Sequence, residues 1–132
     1  MKKLGIKTII LSGLFLAATA QAEVAVIVNS SNSQSLDNAK ITNIFLGKDK
    51  SLKAIDLNDA TKSEFYEKLA GKSEAQMKSY WSGLVFTGKG TPPKSVDNPQ
   101  AVIEYIKANA DGIGYVPAGN VDSNVKVITT IK

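Results

Sequence analysis

Apolar and polar positions alternate along the chain in short blocks whose periods switch between strand and helix. Residues 23–28 (EVAVIV) form an apolar, β-branched run, followed by the polar stretch Asn29-Ser30-Ser31-Asn32-Ser33. This is the pattern of a buried strand leading into a loop. Leu36, Ile41, Ile44 and Phe45 then recur at helical spacing, with Ser35 placed to cap the start and Gly47 to stop the helix. A second strand is read at 52–57 (LKAIDL). Asn58-Asp59-Ala60-Thr61 supplies caps for a helix that carries Phe65, Tyr66 and Leu69 and ends at Gly71. Ser73 with Gln76 makes a capping box for a third helix, with Met77, Tyr80, Trp81, Leu84 and Val85 spaced by three and four. Gly88, Gly90, Pro92 and Pro93 break the chain, and Asn98 with Pro99 at the first helical position opens a helix bearing Val102, Ile103, Tyr105 and Ile106. Two strands near 112–116 (GIGYV) and 124–131 (NVKVITTI) close the pattern.

The order β-α-β-α-α-α-β-β predicts an α/β protein with helices on both faces of one sheet, a three-layer αβα arrangement with an antiparallel final strand. Ahead of it, Lys2, Lys3 and Lys7 precede an apolar run at 8–18, and Ala20-Gln21-Ala22 fits a small-residue cleavage site. Residues 1–22 are thus read as a signal peptide and 23–132 as a single domain, exported and periplasmic. The apolar run is shorter than the roughly 20 residues that a membrane span takes. The remaining 110 residues suffice for one core without staples, burying roughly 60–70% of the unfolded surface.

Composition changes this picture mainly by exclusion. The chain has no Cys and no His. Thiolate nucleophiles, imidazole bases and the usual zinc sites are therefore ruled out. All 16 basic residues are Lys, so no guanidinium fork can grip an anion in bidentate fashion. The net charge of +4 shrinks once the leader is set aside, because Lys2, Lys3 and Lys7 belong to it and all 12 acids follow it. A net charge of +1 leaves no footprint for nucleic acid.

Two near-motifs lack their structural context. Gly83 to Thr91 approaches a phosphate-loop pattern, but Gly90 stands where the metal-binding hydroxyl belongs, and a Pro pair replaces the following helix. Gly112-Ile113-Gly114 has no third glycine. No catalytic residue, metal ligand or cofactor emerges, and the chain is read as a non-enzyme. The remaining candidates are the hydroxyl-rich loops 29–35 and 58–63, each after a strand and before a helix. Ligands of open α/β sheets collect at such places, where helix N-termini offer unpaired N–H groups. Ser30, Ser31, Asn32, Asp59, Thr61, Lys62 and Ser63 form the candidate ligand-binding set. Ser35, Asp59 and Thr61 equally fit plain helix caps.

Taken together, IFLGKDK at 44–50, DATKSEFYEKLAGKS at 59–73, YWSGLVFTGKGTPP at 80–93 and DGIGYV at 111–116 resemble small periplasmic proteins of the phosphate ABC transporter substrate-binding-like family. The resemblance implies one lobe of a class II periplasmic-binding-protein-like fold, normally a two-lobed clamp. It also implies phosphate or a similar oxyanion as ligand, and a membrane transporter or sensor as partner. Full phosphate binders carry an Arg near the position of Leu57, and a Gly-Ser-Gly-Thr loop where Ala60-Thr61-Lys62-Ser63 stands here. Two functional readings stay open. The leading one is a solute-binding-like protein serving an ABC transport or sensing system. The other is an interaction module that has kept the lobe and lost the ligand, docking on a membrane protein or self-associating.

Overall fold

The computed structural model describes residues 23–132, so the signal peptide expected at 1–22 lies outside the described residues. Strand β1 (Val24–Asn29) is followed by α1 (Asn38–Phe45), β2 (Lys53–Leu57), α2 (Ala60–Ala70) and α3 (Glu74–Phe86). Then come the short β3 (Lys94–Val96), α4 (Pro99–Ala108), β4 (Gly112–Pro117), a 3₁₀ turn (Ala118–Asn120) and β5 (Val125–Ile131).

Local chemistry sets most of these boundaries. Asp59 caps α2 by accepting from the Thr61 N–H at 2.8 Å, and Gly71 ends that helix at φ 67°, a conformation that costs glycine no Cβ clash. The capping box of α3 forms in both directions, with the Gln76 N–H donating to Ser73 Oγ and the Ser73 N–H to Gln76 Oε1. Asn98 caps α4 ahead of Pro99. At α1 the expectation fails, because Asp37 and not Ser35 is the cap, its carboxylate accepting from the Lys40 N–H at 2.8 Å. A carboxylate favours a helix N-terminus at least as strongly as a hydroxyl, and starting the helix there leaves Leu36 to pack against the core from outside it.

The five strands form one mixed sheet in the order β3-β2-β4-β1-β5. Strands β2 and β4 pair in parallel, as do β2 and β3, whereas β1 runs antiparallel to both β4 and β5. The expected antiparallel pairing of the final strand is present, but it arises because β1, in the interior of the sheet, is the reversed strand. Strand β3 has no counterpart in the sequence reading. Its three residues are too few to show a period, and it forms by pairing Lys94, Ser95 and Val96 with Ile55, Asp56 and Leu57.

Helix α4 covers one face of the sheet, and α1 and α2 lie on the other. On the α4 face, Gly114 allows close approach: a Cβ there would sit 2.8 Å from Val102 Cγ1 and 2.9 Å from Ile55 Cγ2. On the opposite face Phe45, Phe65, Tyr66 and Tyr115 interlock, with the Phe65 and Tyr115 rings stacked at 3.9 Å and the other pairs edge-on or tilted. Helix α3 is held more lightly. Tyr80 donates to the Leu46 carbonyl at 2.6 Å, and Trp81 packs over Gly47, where an added Cβ would come within 2.9 Å of the indole. Of its apolar residues only Met77 is buried; Val85 is 54% exposed and Phe86 92%. No helix among the described residues is long and apolar enough to cross a membrane.

Candidate functional site

The reversed direction of β1 separates the two candidate loops. Val28 pairs with Ile113 at the start of β4, and Lys53 at the start of β2 pairs with Gly112. The loop after β1 therefore emerges at the edge where β2 and β4 begin, while Asn58 to Ser63 emerges where β2 ends. Ser30, Ser31 and Asn32 do not converge with Asp59, Thr61, Lys62 and Ser63. Both loops follow the carboxyl end of a strand, but those strands point in opposite directions.

Each loop is also occupied by its own contacts. Asn29 Oδ1 accepts from the Ser31 N–H at 3.0 Å and from its hydroxyl at 2.7 Å, and Asn32 Oδ1 accepts from the Gln34 N–H. The Asn32 carbonyl accepts from the Lys126 ammonium at 3.0 Å. These bonds shape a turn and occupy both donors of Ser31.

At the other edge, a strand places one acid in the interior. Asp56 lies in β2 between Ile55 and Leu57, only 4% exposed. Its Oδ1 accepts from Tyr66 Oη at 2.7 Å and from Tyr115 Oη at 3.0 Å, and Tyr115 Oη in turn accepts from the Leu57 N–H at 3.2 Å. The second oxygen, Oδ2, receives no hydrogen bond from the described residues. Its nearest cation is the Lys62 ammonium, 4.0 Å away. Desolvation raises the Asp56 pKa, opposed by the Tyr66 hydrogen bond, the Lys62 charge and the Tyr115 hydrogen bond. Burial, reinforced by the Asp56 charge, pushes both phenols well above the usual tyrosine range, so they remain donors.

This shift fixes the sign of a pH dependence. A raised carboxyl pKa means that the folded state holds the proton more tightly than the unfolded chain. The stability contributed by Asp56 is therefore fully present below the ordinary aspartate value of about 3.9 and is lost as pH rises through the raised value. Asp56→Asn keeps an acceptor for the two phenols but carries no charge. In urea unfolding at a series of pH values, the stability of the variant relative to the parent is expected to improve steadily as pH rises above about 4. A difference that stays flat with pH would show that Asp56 titrates at its unfolded value.

Helix α2 brings the remaining candidates beside Asp56, yet pairs each with a carboxylate. Thr61 is buried and its N–H donates to Asp59 Oδ1 at 2.8 Å. The Lys62 N–H donates to the Asp59 carbonyl at 3.0 Å, and Ser63 Oγ donates to Glu74 Oε1 at 3.3 Å. Of the donors the sequence offered to an oxyanion, the Thr61 N–H and the Ser63 hydroxyl are thus engaged by Asp59 and Glu74, and the Lys62 ammonium stands 4.0 Å from Asp56. Asp59 and Thr61 serve the helix start, the capping alternative the sequence left open.

Beyond these groups lies an open groove of about 560 Å³ between α2 and α3. Asp56, Lys62 and Tyr66 form its floor, and Met77, Trp81, Val85 and Phe86 its apolar wall, with Glu74 and Lys78 also lining it. The candidate set read from the sequence includes neither Asp56 nor the groove side of α3. The one signal available was an acid set inside the apolar strand LKAIDL. Among the described residues no cluster of three or more acidic side chains is arranged to hold a metal ion.

Comparison with known proteins agrees with this architecture. No protein-family model matches the sequence, and no curated protein sequence matches it significantly. Among solved structures, the fold is similar to an ABC-type phosphate transport receptor from Vibrio cholerae, with a TM-score of 0.58 and 16% identity over 80% of this chain and 44% of that one. It is also similar to a putative phosphate ABC transporter substrate-binding protein with bound phosphate from Clostridium perfringens, with a TM-score of 0.60 and 19% identity over 80% of this chain and 43% of that one. The chain spans less than half the length of either structure. It therefore has the fold of a single lobe of a phosphate ABC transporter substrate-binding protein, as the sequence resemblance implied.

Proposed function

We propose that this chain is a non-enzymatic periplasmic module that has kept the lobe of a phosphate-binding protein and given up free oxyanion binding, acting through contact with another molecule. The carrying observation is the carboxylate at the start of α2: Asp59 caps that N-terminus, Glu74 accepts from Ser63, and Asp56 lies 4.0 Å from the Lys62 ammonium. Magnitudes favour this over phosphate carriage. A helix N-terminus contributes about 0.3–1 kcal/mol toward an anion. Two like charges 4 Å apart near a protein surface repel by up to about 4 kcal/mol. An incoming phosphate would lose more to Asp59 than it gained from the helix. With no second lobe in the matched span, water would also compete for every bond it made.

Calorimetric titration with phosphate, with sulfate as control, tests the proposal. The parent protein is expected to give no saturable heat that discriminates the two anions. Asp59→Ser, which keeps a capping oxygen and removes the charge, is expected to gain detectable phosphate binding. Micromolar, phosphate-selective binding by the parent would overturn the reading in favour of a solute carrier for a transport or sensing system.

A further inference from the structure

The groove beside α2 offers a different chemistry from the helix terminus. Its floor holds an acid whose side chain is 94% buried, with one oxygen doubly hydrogen-bonded to tyrosines and the other, Oδ2, lacking any hydrogen bond from the described residues. A buried carboxylate oxygen without a donor is costly to leave unmatched. Lys62 does not meet the need, because at 4.0 Å its ammonium is beyond hydrogen-bonding reach. The position of Lys62 is still informative, since it sets a cation next to the open oxygen. Around the pair, Glu74 and Lys78 repeat the combination of one negative and one positive group.

Asp56 and Lys62 on one side and Glu74 and Lys78 at the start of α3 put two acids and two ammoniums along the groove, a set that matches a ligand carrying both charges close together. Further along α3, Met77, Trp81, Val85 and Phe86 line the groove with apolar surface, that of Val85 and Phe86 open to solvent. A volume of about 560 Å³ lies in the range of small-molecule sites, which are commonly apolar with a few convergent polar groups.

We propose that this groove binds a free α-amino acid with an apolar side chain. The ammonium donates to Asp56 Oδ2, the carboxylate meets the Lys62 ammonium, and the side chain packs on Trp81, Val85 and Phe86. The inference rests on the reading that the lobe's ligand is not an oxyanion at the α2 N-terminus, and it gives that reading a ligand class.

Trp81 is the sole tryptophan of the chain and lines the groove, so its emission reports on this site. Titration of the full protein with L-leucine, which does not absorb, is expected to shift that emission saturably. 3-Methylbutylamine, lacking the carboxylate, and 4-methylpentanoate, lacking the amine, are each expected to bind at least tenfold more weakly. Asp56→Asn should weaken L-leucine at least tenfold. Val85→Glu, at an exposed position that leaves the core intact, should do the same by charging the apolar wall. An unchanged emission, equal affinity for the three compounds, or full binding by Val85→Glu would each overturn the proposal. Phosphate titrated in parallel separates the two readings. Selective phosphate binding removes the reading beneath the proposal, whereas silence toward both phosphate and L-leucine removes only the amino-acid site.

Discussion

Phe65→Ala is expected to lower folding stability by about 3–5 kcal/mol, the usual cost of emptying a fully buried aromatic position. Phe65 has no exposed surface and stands at the centre of the ring cluster, stacked on Tyr115 at 3.9 Å and edge-on to Phe45 and Tyr66 at 4.7 and 5.1 Å. The loss has two parts. The ring's transfer from water is forfeited, and the remaining cavity cannot collapse, because its walls come from α1, α2 and β4 and are fixed by the sheet. The same cavity would loosen both phenols that donate to Asp56. Chemical denaturation followed by circular dichroism would read the change as a drop in midpoint. A loss below about 1 kcal/mol would mean that the neighbouring rings refill the space, contrary to a close-packed interior.

Tyr115→Phe is the second large effect, expected at about 2–4 kcal/mol although it removes a single oxygen. That oxygen donates to Asp56 Oδ1 and accepts from the Leu57 N–H. The Leu57 N–H lies beyond the two register pairs that join β2 to β4, so the phenol stands in for a strand partner. Without it a buried backbone donor is left unsatisfied, at about 1–3 kcal/mol, and a buried acid loses one of its two donors. Tyr66→Phe supplies the internal comparison. It removes only the donation to Asp56 and should cost less than Tyr115→Phe in the same denaturation experiment. Equal costs for the two variants would show that the Leu57 N–H gains nothing from the phenol.

The site's electrostatics follow from the same cluster. Asp56 is an acid placed in the interior by strand periodicity, and it lines the groove. Whether the groove takes an amino acid or a protein partner, its contacts must begin from that carboxylate and from the half-covered α3. Helix α3 is held by a tyrosine bond to Leu46, an indole over Gly47, a Ser63 bond to Glu74 and Met77 in the core. An apolar helix face anchored only on one side presents surface to a partner or ligand.

The sequence by itself determined the elements whose signals are local. Asp59, Ser73 with Gln76, Asn98 with Pro99, and Gly71 act on backbone groups within a few residues, so their spacing alone places the helix ends. The apolar runs at 23–28, 52–57 and 112–116 likewise identify buried strands. The α/β class was legible from the order of elements, and the single-lobe architecture was what the resemblance of four motifs to a known family implied. What only the tertiary structure decided depends on pairing between distant residues. The direction of β1 is set by its register with β4 and β5, some ninety residues away, and that direction parts Ser30, Ser31 and Asn32 from Thr61, Lys62 and Ser63. The spacing of Met77, Tyr80, Trp81, Leu84 and Val85 marks an apolar face. Periodicity specifies a face and not what covers it, and here little covers the end of α3. A donor in the sequence is likewise only a potential donor. Its availability is settled by whichever carboxylate the fold brings within reach, and for Thr61, Lys62 and Ser63 the fold brings one to each.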